Sequence, residues 1–335
     1  MDDDFGWVAR AQRFADDVLF PDAAGVERGE VDLAVHLDRL ADEGFYGVAA
    51  PRTFGGVGPA GAPIVADVIA ALAGGCLTTA FVWLQHLAPL MAVAALGGDE
   101  DRTGWLRPLA GGQVRAGLAM SRPDLIHVRP VPGGFRLTGE SPWVTGWGLI
   151  GVLLVGAVDD RGLLHVFVLD AAAADGLVAH ETRLMAVQPS RTVSLEFTDH
   201  FVPAARLGHT EPLASYAASQ ATGVVMNGFL ALGVAARCAR LIGDAADLEA
   251  DIADVRLRLL TAAPEDVPDA RAASSLLAAR AAARLVVHTG SRSVLADENA
   301  GRLYRESGFL LVFGQRPAIR SALLSRLSIP VTASV

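Results

Sequence analysis

Along the first 110 residues the apolar positions recur with helical spacing. Ile64, Val65, Val68, Ile69 and Leu72 fall on one face after Pro63, a residue suited to a first helical turn. "TTAFVWLQHLAPLMAVAALGG" continues in that manner and stops at a glycine pair. Near Gly111 the period changes. "GGFRLTGE", "GLLHVFVLD" and "RTVSLEFTD" alternate apolar and polar residues, with Gly-Gly and Asp-Asp-Arg-Gly turns between them, which predicts a meander of short strands over 113–205. After "FVPAARLG" the helical period returns. Residues 220–243 and 269–296 are rich in Ala and Leu and free of proline, and "TAAPEDVPDA" between them reads as a loop. The second of these helices is apolar on much of its circumference, so it is expected to be buried in a bundle with surplus apolar surface left for an oligomer contact. The predicted class is α+β: an N-terminal helical domain (1–112), a small central β domain (113–205) and a C-terminal helical bundle (206–335).

Composition narrows the partners. The chain has 335 residues, 52% of them hydrophobic, enough for a sizeable core. Its longest charge-free stretch, Val68 to Gly98, is broken by Gly74, Gly75, Gln85, His86 and Pro89, so no continuous apolar run reaches the roughly 20 residues of a bilayer span. The acidic start "MDDDFGW" is unlike a basic signal-peptide start. A cytoplasmic protein with no membrane partner is expected. The formal charge of −9, with arginines scattered among acids, speaks against nucleic acid, which needs a dense basic face. Cys76 and Cys238, with no CxxC and no histidine at ligand spacing, read as core residues, and no metal site is expected.

Few motifs carry chemistry. "GGVGPAG" at 55–61 contains the dinucleotide spacing GxGxxG, but a helical stretch precedes it and a proline interrupts it, so it reads as a plain loop. His86, inside "VWLQHLAPL", reads as a hydrogen-bonded core or interface histidine, with a catalytic role as the alternative. In "ESPWVTGW", Trp143 and Thr145 lie two apart on a strand and are expected to project from one face. A large ring beside a short hydroxyl suits a flat heterocycle, and a cross-strand core pair would read the same way.

The order of these pieces resembles the acyl-CoA dehydrogenase family. "LADEGFYGVAAPRTFGGVG" is similar to the family's first-domain stretch, "GWLRPLAGGQVRAGLAMSRP" to its W-L-P-x-L-A-x-G run into an A-L-T-E-P strand, "LTGESPWVTG" to L-N-G-x-K-x-W-I-T-N, and "FVPAARLG" to V-P-x-x-N-x-L-G. The resemblance implies the family's fold of helical domain, β domain and helical bundle, FAD as cofactor, and acyl-CoA or another acyl thioester as substrate. It places the flavin against Leu118, Ser121, Trp143 and Thr145. Farther on, "LVFGQRP" resembles the family's Q-x-F-G-G-N-G, assigning Phe313 and Gly314 to the cofactor, with Arg316 able to meet a phosphate.

The chain also departs from the family. The Glu of the Y-E-G-T string is missing, since no acid follows Glu306, and the alternative position near Gly223 holds none either. The R-x-x-F-G string and the G-S-D after T-E-P are absent. These departures imply FAD held weakly or shared with a partner chain. They also imply a flavoprotein subunit that completes α,β-dehydrogenation of an acyl thioester only in an oligomer, either with its own copies or with a full-length relative supplying the base. Two alternatives stand beside this: a flavin-dependent monooxygenase on the same fold using His86, and a non-catalytic structural subunit.

Overall fold

The computed structural model describes residues 3–95 and 99–328. The glycine pair at 97–98 and the last residues, where the family's Glu string was sought, lie outside them. The chain opens with α1 (Asp3–Phe14), a wide-turn π segment (Ala15–Leu19), α2 (Phe20–Glu27), α3 (Leu33–Asp42), α4 (Ala62–Gly75), α5 (Leu77–Ala95) and α6 (Asp99–Ala110). The strands follow: β1 (Ala116–Ala119), β2 (Ile126–Val131), β3 (Gly134–Val144), β4 (Val152–Val158), β5 (Leu163–Asp170), β6 (Leu177–Glu181), β7 (Val193–Pro203) and β8 (Leu207–Pro212). Then come α7 (Leu213–Gly223), α8 (Asn227–Ile242), α9 (Ala246–Thr261), α10 (Val267–Thr289), α11 (Asn299–Leu310) and α12 (Pro317–Leu327). This is the helical, β, helical order that the apolar periods predict.

Two compact units are interleaved along the chain. The first takes in the residues up to Trp7, Gly25–Val65 and Thr78–Ser219; the second takes in Val8–Ala24, Ala66–Leu77 and everything from Gln220 onward.

In the first unit the strands form one sheet in the order β6-β7-β3-β2-β4-β5-β8, with β1 added in parallel to β4. This is not the expected meander. β3 and β7, at 11 residues each, pair antiparallel although three strands separate them in the chain, and β8 returns to β5. Alternation fixes which face of a strand is buried but leaves its neighbour open, and the long apolar faces of β3 and β7 find each other. Leu137 and Val144 of β3 and Leu195, Phe197 and Val202 of β7 are buried in the sheet's core cluster. α3 starts where the Asp32 carboxylate accepts from the Ala34 N–H, and it buries Leu33, Leu37 and Leu40. α5 departs from expectation: at 19 residues it is long and apolar enough to cross a membrane by length and composition. Two thirds of that stretch is buried inside the fold, as in a core helix.

In the second unit α8 crosses the end of α4 so closely that a Cβ on Gly233 would stand 2.2 Å from the Ala70 carbonyl oxygen. α10 is the central helix. Its apolar circumference is covered within the unit, from Val267 through Ala278 to Leu285, rather than left over for an oligomer contact, because α8, α9, α11 and α12 surround it. It ends at Thr289, where Gly290 takes φ 70°, short of the expected 296. Exposed apolar side chains lie at its last turn, at Val287, and beyond it, at Val294, Leu295, Tyr304 and Val312. Cys76 and Cys238 are buried and form no disulfide, and burial pushes the Cys238 thiol up to about 12.

Candidate functional site

The site grows from the free edge of β1. The Arg115 carbonyl accepts from the Gly151 and Val152 N–H groups at 2.8 and 3.1 Å, so the odd-numbered residues of β1 address β4. Strand alternation then turns the even-numbered residues to the other side. There Ala116 N–H donates to His86 Nδ1 at 3.1 Å, and the Met120 carbonyl accepts from the Tyr216 hydroxyl at 3.0 Å. Between these two closed positions lies half-buried Leu118, whose N–H and C=O stand on the same edge with no strand beside them among the described residues. One residue past Met120, the Ser121 hydroxyl donates to the Pro142 carbonyl at 3.0 Å and ties β1 to the end of β3.

That end of β3 is irregular. The pairing of β3 with β7 shifts register between Ser141 and Val144, and Trp143 adopts φ 63°, a left-handed conformation unusual for a bulky residue. Trp143 and Thr145 therefore do not share a face. Trp143 is 61% exposed and Thr145 only 4%. Simple alternation fails because the extra residue falls between Ser141 and Val144 and Trp143 itself takes the left-handed conformation, so the regular strand is already broken before Thr145. Thr145 Oγ1 shares a hydrogen bond with Thr192 Oγ1 at 3.2 Å, and Thr192 Oγ1 shares another with Ser190 Oγ at 2.8 Å. Gly146 N–H and Trp147 N–H donate to the carbonyls of Ser190 and Arg191. Val187 and Arg191, in the same loop, also have positive φ, so three strained non-glycine residues belong to this one corner. Trp147, which the sequence left without a role, packs against the sheet core.

His86 is 1% exposed and meets Tyr46 edge to face, with ring centroids 4.8 Å apart. Burial lowers its pKa to about 3, the nearby Arg115 guanidinium adds to this, and the Leu109 carbonyl opposes it. An accepting Nδ1 puts the ring proton on Nε2. Nε2 makes no well-formed hydrogen bond among the described residues, although the Leu109 carbonyl is near enough to favour the charged ring. In the second unit Phe313 stacks on Phe309 at 5.5 Å, and its carbonyl accepts from buried Arg271. Gly314 turns the chain at φ 62°, with Asn227 so close that a Cβ would stand 2.6 Å from Nδ2. Arg316 immediately precedes α12, and with Gln315, Pro317, Arg320, Ser321 and Leu324 it lines a groove of about 430 Å³.

Residues 5–113 match the N-terminal domain of the acyl-CoA dehydrogenases. The NADH-dependent acryloyl-CoA reductase of Anaerotignum propionicum is 26% identical over 59% of this chain and 53% of its own length. Butyryl-CoA dehydrogenase from Megasphaera elsdenii superimposes with a TM-score of 0.84 at 18% identity, covering 97% of both chains. The first third of the chain thus matches the acyl-CoA dehydrogenases in sequence, and the whole chain has their fold. Among solved structures, PigA with FAD and proline has the same fold, with a TM-score of 0.79 at 19% identity over 98% of each chain. The chain spans about half the length of the curated relatives it matches.

The structure gathers Leu118, Ser121, Trp143 and Thr145 into the first unit and Phe313, Gly314 and Arg316 into the second. Residue reading missed Tyr216, Ser190 and Thr192. "PSRT" held a signal in its clustered hydroxyls, but a lone Tyr216 on a helix held none.

Proposed function

We propose that the chain is an acyl-CoA dehydrogenase-like flavoprotein subunit whose residues seat a flavin ring but provide no base for proton abstraction. The open edge at Leu118 carries the reading. The pyrimidine side of a flavin alternates carbonyl and N–H groups, and a backbone N–H beside a backbone C=O is complementary to it. Trp143, exposed beside the Ser121 to Pro142 tie, offers a large apolar cover. Thr145 brings a hydroxyl already braced by Thr192. When bound, the flavin would supply a two-electron acceptor. In the second unit, Arg316, Arg320 and the N-terminus of α12 suit a phosphate.

The acids at hand do not suit proton abstraction. Arg122 grips Asp124, three residues past Ser121, and lowers its pKa, which makes it a weaker base. Glu306 is buried against Arg302 at 2.6 Å. His86 is removed from acid–base work by its burial, which also weighs against the monooxygenase alternative. A partner chain, a full-length relative, would supply the base to an acyl thioester.

Purified protein titrated with FAD tests the first half. Saturable binding with absorbance bands at roughly 370 and 450 nm is expected. With a saturated acyl-CoA and an artificial electron acceptor, the isolated chain should turn over about 10²- to 10⁴-fold more slowly than its complex with a full-length relative. Absence of flavin binding overturns the reading, and fast turnover by the isolated chain overturns the missing base.

A further inference from the structure

β1 is only four residues long and among the described residues pairs with β4 alone, so no described ladder fixes its outer edge. Two side chains from outside the sheet do that work. His86 comes from α5 and closes the Ala116 N–H; Tyr216 comes from α7 and closes the Met120 carbonyl. Each lies two residues from Leu118, one on either side, along the same edge. We propose that His86 and Tyr216 are positioning residues that hold this edge of β1 in register and leave both the N–H and the C=O of Leu118 open among the described residues, preset for a heterocycle carrying adjacent carbonyl and N–H groups. The identification of that heterocycle as a flavin rests on the function proposed above.

The physical argument is preorganisation. A short strand paired on one side frays, and a ligand that must order it before binding loses affinity to that ordering. A buried imidazole accepting from a backbone amide and a phenol donating to a backbone carbonyl fix both ends without occupying the middle. Their hydrogen bonds to β1 go to Ala116 and Met120 and leave the Leu118 groups between them. Nothing in the pair takes part in proton or electron transfer, so its signature is geometric. A polar replacement able to accept at position 86 should restore what an apolar one removes.

The test uses the full-length chain with His86→Leu, His86→Asn and Tyr216→Phe. In cofactor-free protein, amide hydrogen exchange over residues 116–120 should accelerate in His86→Leu and Tyr216→Phe and return toward the wild-type rate in His86→Asn. Lumiflavin, which has no adenosine half, should bind about tenfold more weakly to the first two variants and near normally to the third. Tyr216→Phe removes a single hydroxyl, so it keeps the test decisive if His86→Leu misfolds. Unchanged exchange over 116–120 in Tyr216→Phe overturns the proposal, as does wild-type lumiflavin affinity in that variant. Accelerated exchange in a protein whose wild type binds no flavin leaves the clamp standing and sinks the flavin reading alone.

Discussion

At the scale of single residues, His86 shows how burial decides chemistry. Its folded pKa of about 3 lies below the usual 6.5, so between those values the unfolded chain binds a proton that the folded chain does not. Its contribution to stability is therefore present above about pH 6.5 and is lost as the pH falls toward 3. We expect the imidazole resonances of His86 to stay flat from about pH 8 to about pH 5. Stability from denaturant midpoints should fall less on acidification in His86→Asn than in the wild type; equal slopes would mean that His86 titrates normally. The sequence reading of His86 as a hydrogen-bonded core residue holds, because an apolar helix leaves a lone imidazole little else to do. The shared face of Trp143 and Thr145 was not legible. Period-two reasoning assumes an unbroken strand, and nothing in "SPWVTG" announces a bulge that puts a tryptophan at positive φ.

At the scale of elements, α10 and α11 contain two buried arginines in opposite circumstances. Arg302 on α11 is paired with Glu306 one turn away, both nearly inaccessible. Arg271 on α10 has no carboxylate partner among the described residues. It donates to Ser274 Oγ and the Phe313 carbonyl, each at 3.3 Å, and burial alone lowers its pKa to about 10. Removing one member of a buried pair strands the other charge, whereas replacing an unpaired guanidinium by an apolar side chain relieves a desolvation cost. Arg302→Met should therefore destabilise by about 3–5 kcal/mol, and Arg271→Met by clearly less or not at all. Equal losses in urea denaturation would show that Arg271 has a counter-charge in the assembled protein. Such pairing also explains why α11 was not read as a helix: "GRLYRESGF" looks polar, yet its arginine and glutamate are core. α9 was missed for a related reason, since only Leu248, Val255 and Leu259 of its 16 residues are buried, a narrow stripe in an acidic run. The strongly periodic helices and alternating strands were legible because a single face carried their burial.

At the scale of the whole molecule, linear order and compact units part company. A sequence read from left to right assigns 206–335 to a C-terminal bundle, but the compact second unit also takes Val8–Ala24 and Ala66–Leu77 from the beginning of the chain. Those early segments supply specific partners. Asp16 takes the guanidinium of Arg237, which also lies over the Phe20 ring at 4.0 Å and donates to the Gly74 carbonyl. Asp67 holds Arg256 through two hydrogen bonds of 2.6 Å. Arg237 is only 6% exposed, so a fragment without residues 8–24 would keep a buried cation whose carboxylate is gone. Stranding such a charge costs about 3–5 kcal/mol, a large part of the roughly 5–15 kcal/mol that holds a typical domain together. The fragment would also expose the face of α8 that α4 covers at Gly233. We expect residues 206–335 expressed alone to show helical far-ultraviolet dichroism without a cooperative thermal transition. Co-expression with residues 1–77 should restore one. A sharp transition in the isolated fragment, near that of the full chain, would show that the two early segments decorate the bundle rather than complete it.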